Sequence, residues 1–170
     1  LNFNYNYNQG GLATGKFDYM NGWSSLTGVN SSSYSWMLQR APGFFDAVSY
    51  IGTGSGTGIT LNHNLTVTPE LLICKAATLS QDWTVWRTGA ASGVFERLNS
   101  EYGSTSPGYV LSTISATQFG WNNSDGAVND NGATYIAYLF ATLAGVSKVG
   151  TYTGTGSDLN VDCGFSNGAR

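Results

Sequence analysis

The run Pro42-Gly43-Phe44-Phe45-Asp46-Ala47-Val48-Ser49-Tyr50-Ile51-Gly52-Thr53-Gly54-Ser55 leads through Gly56-Thr57-Gly58 into Ile59-Thr60-Leu61-Asn62-His63-Asn64-Leu65. Ala47–Ile51 has strand composition, and 59–65 alternates apolar and polar residues as a half-buried strand does. The glycine-rich run between them is too flexible for a regular element and suits a tight connection. Residues 47–65 therefore read as strand, turn, strand.

The same pattern continues downstream. Pro69 precedes Leu71-Leu72-Ile73-Cys74-Lys75, an apolar run short enough to be a fully buried strand. Asp82-Trp83-Thr84-Val85-Trp86-Arg87 alternates again, with Trp83 and Val85 on one face and Thr84 and Trp86 on the other. Gly93–Leu98 is a weaker candidate. Tyr109–Ile114 and Gln118–Trp121 bracket a turn. Ala133–Ala141 is Ala-rich and long enough for a helix, but its β-branched and aromatic content argues for a strand. Short strands joined by Gly/Ser/Asn turns over about 100 residues predict an all-β chain, an antiparallel β-sandwich module.

The opening run also has a second copy. Pro42–Ser55 returns as Ala144-Gly145-Val146-Ser147-Lys148-Val149-Gly150-Thr151-Tyr152-Thr153-Gly154-Thr155-Gly156-Ser157, at an offset of 102. Upstream, Tyr34-Ser35-Trp36-Met37-Leu38 resembles Tyr135–Leu139, and Gly28-Val29-Asn30 lines up with Ala127-Val128-Asn129. Downstream, Leu65 through Glu70 falls opposite Phe165 through Arg170. A tandem repeat is expected: residues 1–42 as the end of a preceding module, 43–145 as a complete one, 146–170 as the start of a third. The third would be incomplete alone. It calls either for a longer natural chain or for strand donation into a neighbouring subunit.

Charged side chains make up only 10% of the chain and the net charge is −3, so the surface is neutral and rich in hydroxyls and amides. The seven basic residues are scattered, which leaves no footprint for nucleic acid. No window approaches 18 apolar residues, so no membrane-spanning helix is expected. Leu1 in place of a methionine, without a signal-peptide pattern, suggests a processed or partial chain. The apolar run around Cys74 favours a buried free thiol over a bridge to Cys163.

Catalytic chemistry finds little to work with. His63 is the single histidine. It shares a face with Ile59, Leu61 and Leu65, which reads as a packed ring with one nitrogen bonded rather than a ligand or base. Asp46, Glu70 and Asp82 read as solvated positions, and no carboxylate pair carries a glycosidase pattern. One histidine and two distant cysteines do not make a zinc site. The segment Asn122–Gly132 packs oxygen ligands of the calcium type, yet Asn, Asp and Gly are also what tight turns require. No enzyme activity, cofactor or metal is expected.

The run Ala41–Asp46 with Tyr50 and Gly52–Ser55 resembles a repeated domain of uncharacterised function in structural proteins of tailed bacteriophages of aquatic bacteria. So do His63-Asn64-Leu65, Val67–Leu71, Lys75, Trp83–Trp86 and Tyr135–Ala141. The resemblance covers nearly all of 43–170. It implies a tail or fibre-type virion protein on an extracellular particle surface, with other copies of the chain or neighbouring virion proteins as partners. It carries no catalytic residues.

The aromatic content, five Trp, ten Tyr and eight Phe, is more than a small core easily absorbs. Some rings are expected against another module or subunit. The alternative is a carbohydrate-binding module that stacks sugars of a cell-surface or extracellular glycan on Trp86, Tyr102, Tyr109 and Trp121.

Overall fold

The computed structural model describes residues 38–91, 94–99, 111–122 and 124–166. All regular elements among them are strands: β1 (Phe45–Ile51), β2 (Ile59–Asn62), β3 (Leu71–Ala76), β4 (Thr84–Arg87), β5 (Glu96–Arg97), β6 (Leu111–Ile114), β7 (Gln118–Trp121) and β8 (Thr134–Phe140). They form two antiparallel sheets, one ordered β1-β8-β3-β4-β5 and the other β2-β7-β6. The chain is all-β, as its periodicity predicts.

β8 settles the helix-or-strand ambiguity at 133–141. Tyr135, Ala137 and Leu139 alternate with less buried neighbours and point into the core. Both edges of the strand are filled, by β1 from Phe45↔Phe140 to Ile51↔Thr134 and by β3 from Leu71↔Phe140 to Ala76↔Tyr135. A helix here would strip both ladders of their partner.

β3 lies between β8 and β4, which explains its apolar run Leu71–Cys74. One hydrophobic cluster draws on both sheets. Tyr50, Leu72, Cys74 and Tyr135 come from the larger, Phe119 and Trp121 from the smaller, with Ile59 and Leu61 packed against them. Around β4, Trp83, Thr84 and Val85 are all buried and Trp86 is half-buried against the core.

Some boundaries differ from the sequence reading. β2 ends at Asn62, because Leu65 N–H turns back onto the His63 ring instead of extending the ladder. The strand expected over 93–98 is only Glu96–Arg97, paired with Thr84 and Val85.

Two glycines set the connection from β1 to β2. A Cβ on Gly52 would lie 2.1 Å from the Asp130 carbonyl oxygen, and one on Gly58 would lie 1.8 Å from that of Trp121. Gly58 also has φ +88°, in the left-handed region. Only a hydrogen side chain lets the loop lie against these backbones.

The segment before β1 and the segment after β8 contain the same tight turn. Ala41 and Phe45 exchange backbone bonds of 2.9 and 3.1 Å, and Leu143 and Ser147 exchange bonds of 3.1 and 2.9 Å. The glycine inside each turn is left-handed, Gly43 at +73° and Gly145 at +75°. Gly54 and Gly156, also 102 residues apart, are left-handed too, at +63° and +78°. The two similar stretches thus share this local turn geometry.

Candidate interaction surface

His63 is a structural bridge. Its Nδ1 accepts Leu65 N–H at 3.2 Å, which places the proton on Nε2, 3.1 Å from the Ser115 carbonyl. Both nitrogens are engaged and the residue is buried, so the ring ties 63–65 to the β6–β7 turn.

The carboxylates divide differently from the sequence reading. Asp46 is buried, not solvated: one oxygen accepts Ala47 N–H at 2.9 Å and pairs with Arg40, and the other accepts Asn64 N–H at 2.7 Å. Burial alone would raise its pKa. The Asn64 and Ala47 amides and the Arg40 guanidinium together outweigh that and hold the carboxyl below its ordinary value. The signal in sequence was an arginine six residues upstream, legible only once the turn at 41–45 is known. Glu70 accepts Thr142 N–H at 2.6 Å, and Asp82 pairs with Arg97 at 3.0 Å.

The Asn/Asp/Gly segment weighed as a turn or as a set of calcium-type oxygen ligands serves as the wall for the β1–β2 connection. Asp125 Oδ1 accepts Ala127 N–H, and Asn129 Oδ1 accepts Thr53 N–H at 2.9 Å. Tyr135 hydroxyl donates to the Gly126 carbonyl at 2.8 Å and accepts Asp130 N–H at 2.8 Å. Among the described residues, no three His, Cys, Asp or Glu side chains gather in a metal-binding group.

A densely bonded polar group in the core is the Tyr50 hydroxyl, to which the sequence reading gave no role. It donates to the Val128 carbonyl at 2.7 Å, accepts from Trp121 Nε1 at 3.0 Å and lies 3.2 Å from Cys74 Sγ. Its ring stacks on Tyr135 with centroids 5.1 Å apart. Burial pushes the Tyr50 phenol well above its ordinary pKa and the Cys74 thiol up to about 12. Cys74 and Cys163 are both unbridged.

Of the four rings expected to stack on a glycan, two lie among the described residues. Trp121 is fully buried between Phe95 and Phe119, so neither face is open to a sugar. This corrects its candidacy: alternation on β7 places it inward, and its N–H is bound to Tyr50. Trp86 is half-buried against the core. Tyr102 and Tyr109 lie outside the described residues.

Exposed apolar surface concentrates after β8 instead. Val146, Tyr152, Leu159 and Val161 are 55%, 72%, 44% and 48% exposed. Residues 148–166 belong to no strand. The 144–146 turn lies just after β8, whose two edges β1 and β3 already occupy, so the following segment has no place on β8.

A family model described as Domain of unknown function (DUF7483) matches residues 13–167. The chain belongs to this family. No curated protein and no solved structure matches it. The DUF7483 match crosses both of the boundaries drawn at 42/43 and 145/146, so the family unit takes in the flanking segments together with the two sheets.

Proposed function

We propose that this DUF7483 chain is a virion structural protein, a tail or fibre-type component assembled from repeated β-sandwich modules. The observation that carries the assembly is the exposed apolar segment 146–161 following a turn that duplicates the one leading into β1. A chain that repeats the entry to its own module, and leaves the side chains of that entry uncovered, is organised for contact with more of its kind. The particle assignment rests on the resemblance of Ala41–Ser55, His63–Leu71 and Tyr135–Ala141 to tailed-phage structural proteins. The scarcity of charge and the engagement of both His63 nitrogens favour a structural role over catalysis.

Particles purified from a lysate of the infected host provide the test. Mass spectrometry should find peptides of this chain in stoichiometric amounts, and antibodies to it should label the tail or fibres in electron micrographs. Recovery only in the soluble, particle-free fraction would refute the assignment. The glycan-binding alternative loses Trp121 from its stacking set, and no exposed row of rings among the described residues replaces it.

A further inference from the structure

We propose that residues 147–165 are a second β1–β2 pair, which completes another module by pairing with a second copy of strands β3–β8. The inference rests on the repeated-module reading and names the partner of the exposed segment.

The correspondence holds at the apolar and turn positions, and departs where Asp158 stands for Gly58 and Cys163 for His63, so the close approach of Gly58 to Trp121 and the His63 bridge are not reproduced. At the offset of 102, Tyr152 stands where Tyr50 does, and Gly156 takes the left-handed place of Gly54. The connection is then two residues shorter: Ser157 reaches Leu159 through Asp158, where Ser55 reaches Ile59 through Gly56-Thr57-Gly58. From there Leu159, Val161 and Phe165 match Ile59, Leu61 and Leu65 at an offset of 100, with polar Asn160 and Asp162 between them.

Burial separates the two sets. Tyr50 is 7% exposed and Leu65 is fully buried, while Ile59 and Leu61 pack against the core. Tyr152, Leu159 and Val161 are open. The difference is one of partners. β1 and β2 lie on β8 and β7 through Tyr50↔Tyr135, Ile59↔Trp121 and Leu61↔Phe119. Within this module those positions are taken, so the second set needs a second β8 and β7.

The partner's recognition chemistry follows. It presents a β8-type strand with one open edge, a ring to stack on Tyr152 as Tyr135 does on Tyr50, and an indole N–H and a carbonyl to bind the Tyr152 hydroxyl. The match weakens at the start of the pair. Ser147 and Lys148 stand where Phe45 and Asp46 are, so the Arg40–Asp46–Asn64 node is not reproduced. The register is carried by Tyr152 through Phe165.

The test joins a second copy of residues 66–166 after Phe165, so that the open segment precedes its missing strands in register. Limited proteolysis within 147–165 should slow at least 100-fold relative to the original chain. Tyr152→Ala should lower the melting of the added module and leave the original chain's melting unmoved. Unchanged cleavage of the extended chain would overturn the proposal. A large loss of stability from Tyr152→Ala in the original chain would overturn it too, because the segment would already belong to the first module. Neither result bears on where the protein resides, so this proposal and the virion assignment fail separately.

Discussion

Removing one oxygen from the core, by Tyr50→Phe, tests whether the two sheets are joined through the hydroxyl of that residue. The ring keeps its stacking on Tyr135 and leaves almost no void. What is lost is the 2.7 Å bond to the Val128 carbonyl, the 3.0 Å bond from Trp121 Nε1 and the contact with Cys74. Stripping a partner from a buried donor or acceptor costs about 1–3 kcal/mol each. Two such losses place the variant about 2–4 kcal/mol below the parent. At about 4–8 °C per kcal/mol for a domain of about 100 residues, melting should fall by about 10 °C or more. Urea unfolding followed by tryptophan fluorescence measures the difference directly. Tyr152→Phe is the control: that side chain is 72% exposed, so its stability should stay within about 0.5 kcal/mol. A Tyr50→Phe effect as small as the control's would refute the argument, since it would mean that water replaces the hydroxyl at no cost.

Other expectations follow from the same geometry. Asp46→Asn should cost about 1.5–3 kcal/mol at neutral pH, because charge-assisted bonds from Asn64, Ala47 and Arg40 are weakened. Since the folded pKa of Asp46 is depressed, its contribution is present above the ordinary carboxylate value of 3.8 and fades as pH falls through the folded value. The gap between parent and variant should therefore close in acid, and a pH-independent gap would contradict the assignment. At the alkaline end, Cys74 and Tyr135 are both raised to about 12, from 9.0 and 10.0. Stability should hold below about pH 9 and fall as pH rises through 12, which a pH series of melting curves would check. In the native state at pH 8 a thiol reagent should modify Cys163 and spare Cys74, and equal rates at both would show that the core opens. Gly58→Ala should cost more than about 2 kcal/mol, whereas Gly56→Ala, with open space around it, should be near neutral; equal unfolding midpoints would mean that the loop is not pressed against Trp121.

Strand class was legible because a strand writes its period into the chain. Ile59–Asn62 alternates, the β-branched and aromatic content of Thr134–Phe140 marks a strand, and an interior strand such as Leu71–Ala76 opens on the apolar run Leu71–Cys74. The matching turns were legible for a similar reason, because a tight turn restricts residue type: glycine stands at 43 and 145, and again at 54 and 156, where φ is positive. Free thiols could be anticipated from the apolar neighbours of Cys74.

Strand order, however, leaves no local trace. That β8, last of the described strands, sits between β1 and β3 is decided by long-range pairing, and with it the reason the 147–153 segment has no place on β8. The fates of Asp46 and Trp121 were hidden for the same reason. An aspartate beside a turn looks solvated until Arg40 and the Asn64 amide converge on it across the 18 residues to Asn64. A tryptophan looks available for stacking until Tyr50, 71 residues away, binds its indole. Local sequence constrains backbone conformation and face, whereas burial and partnership depend on which distant strands the hydrophobic core brings together.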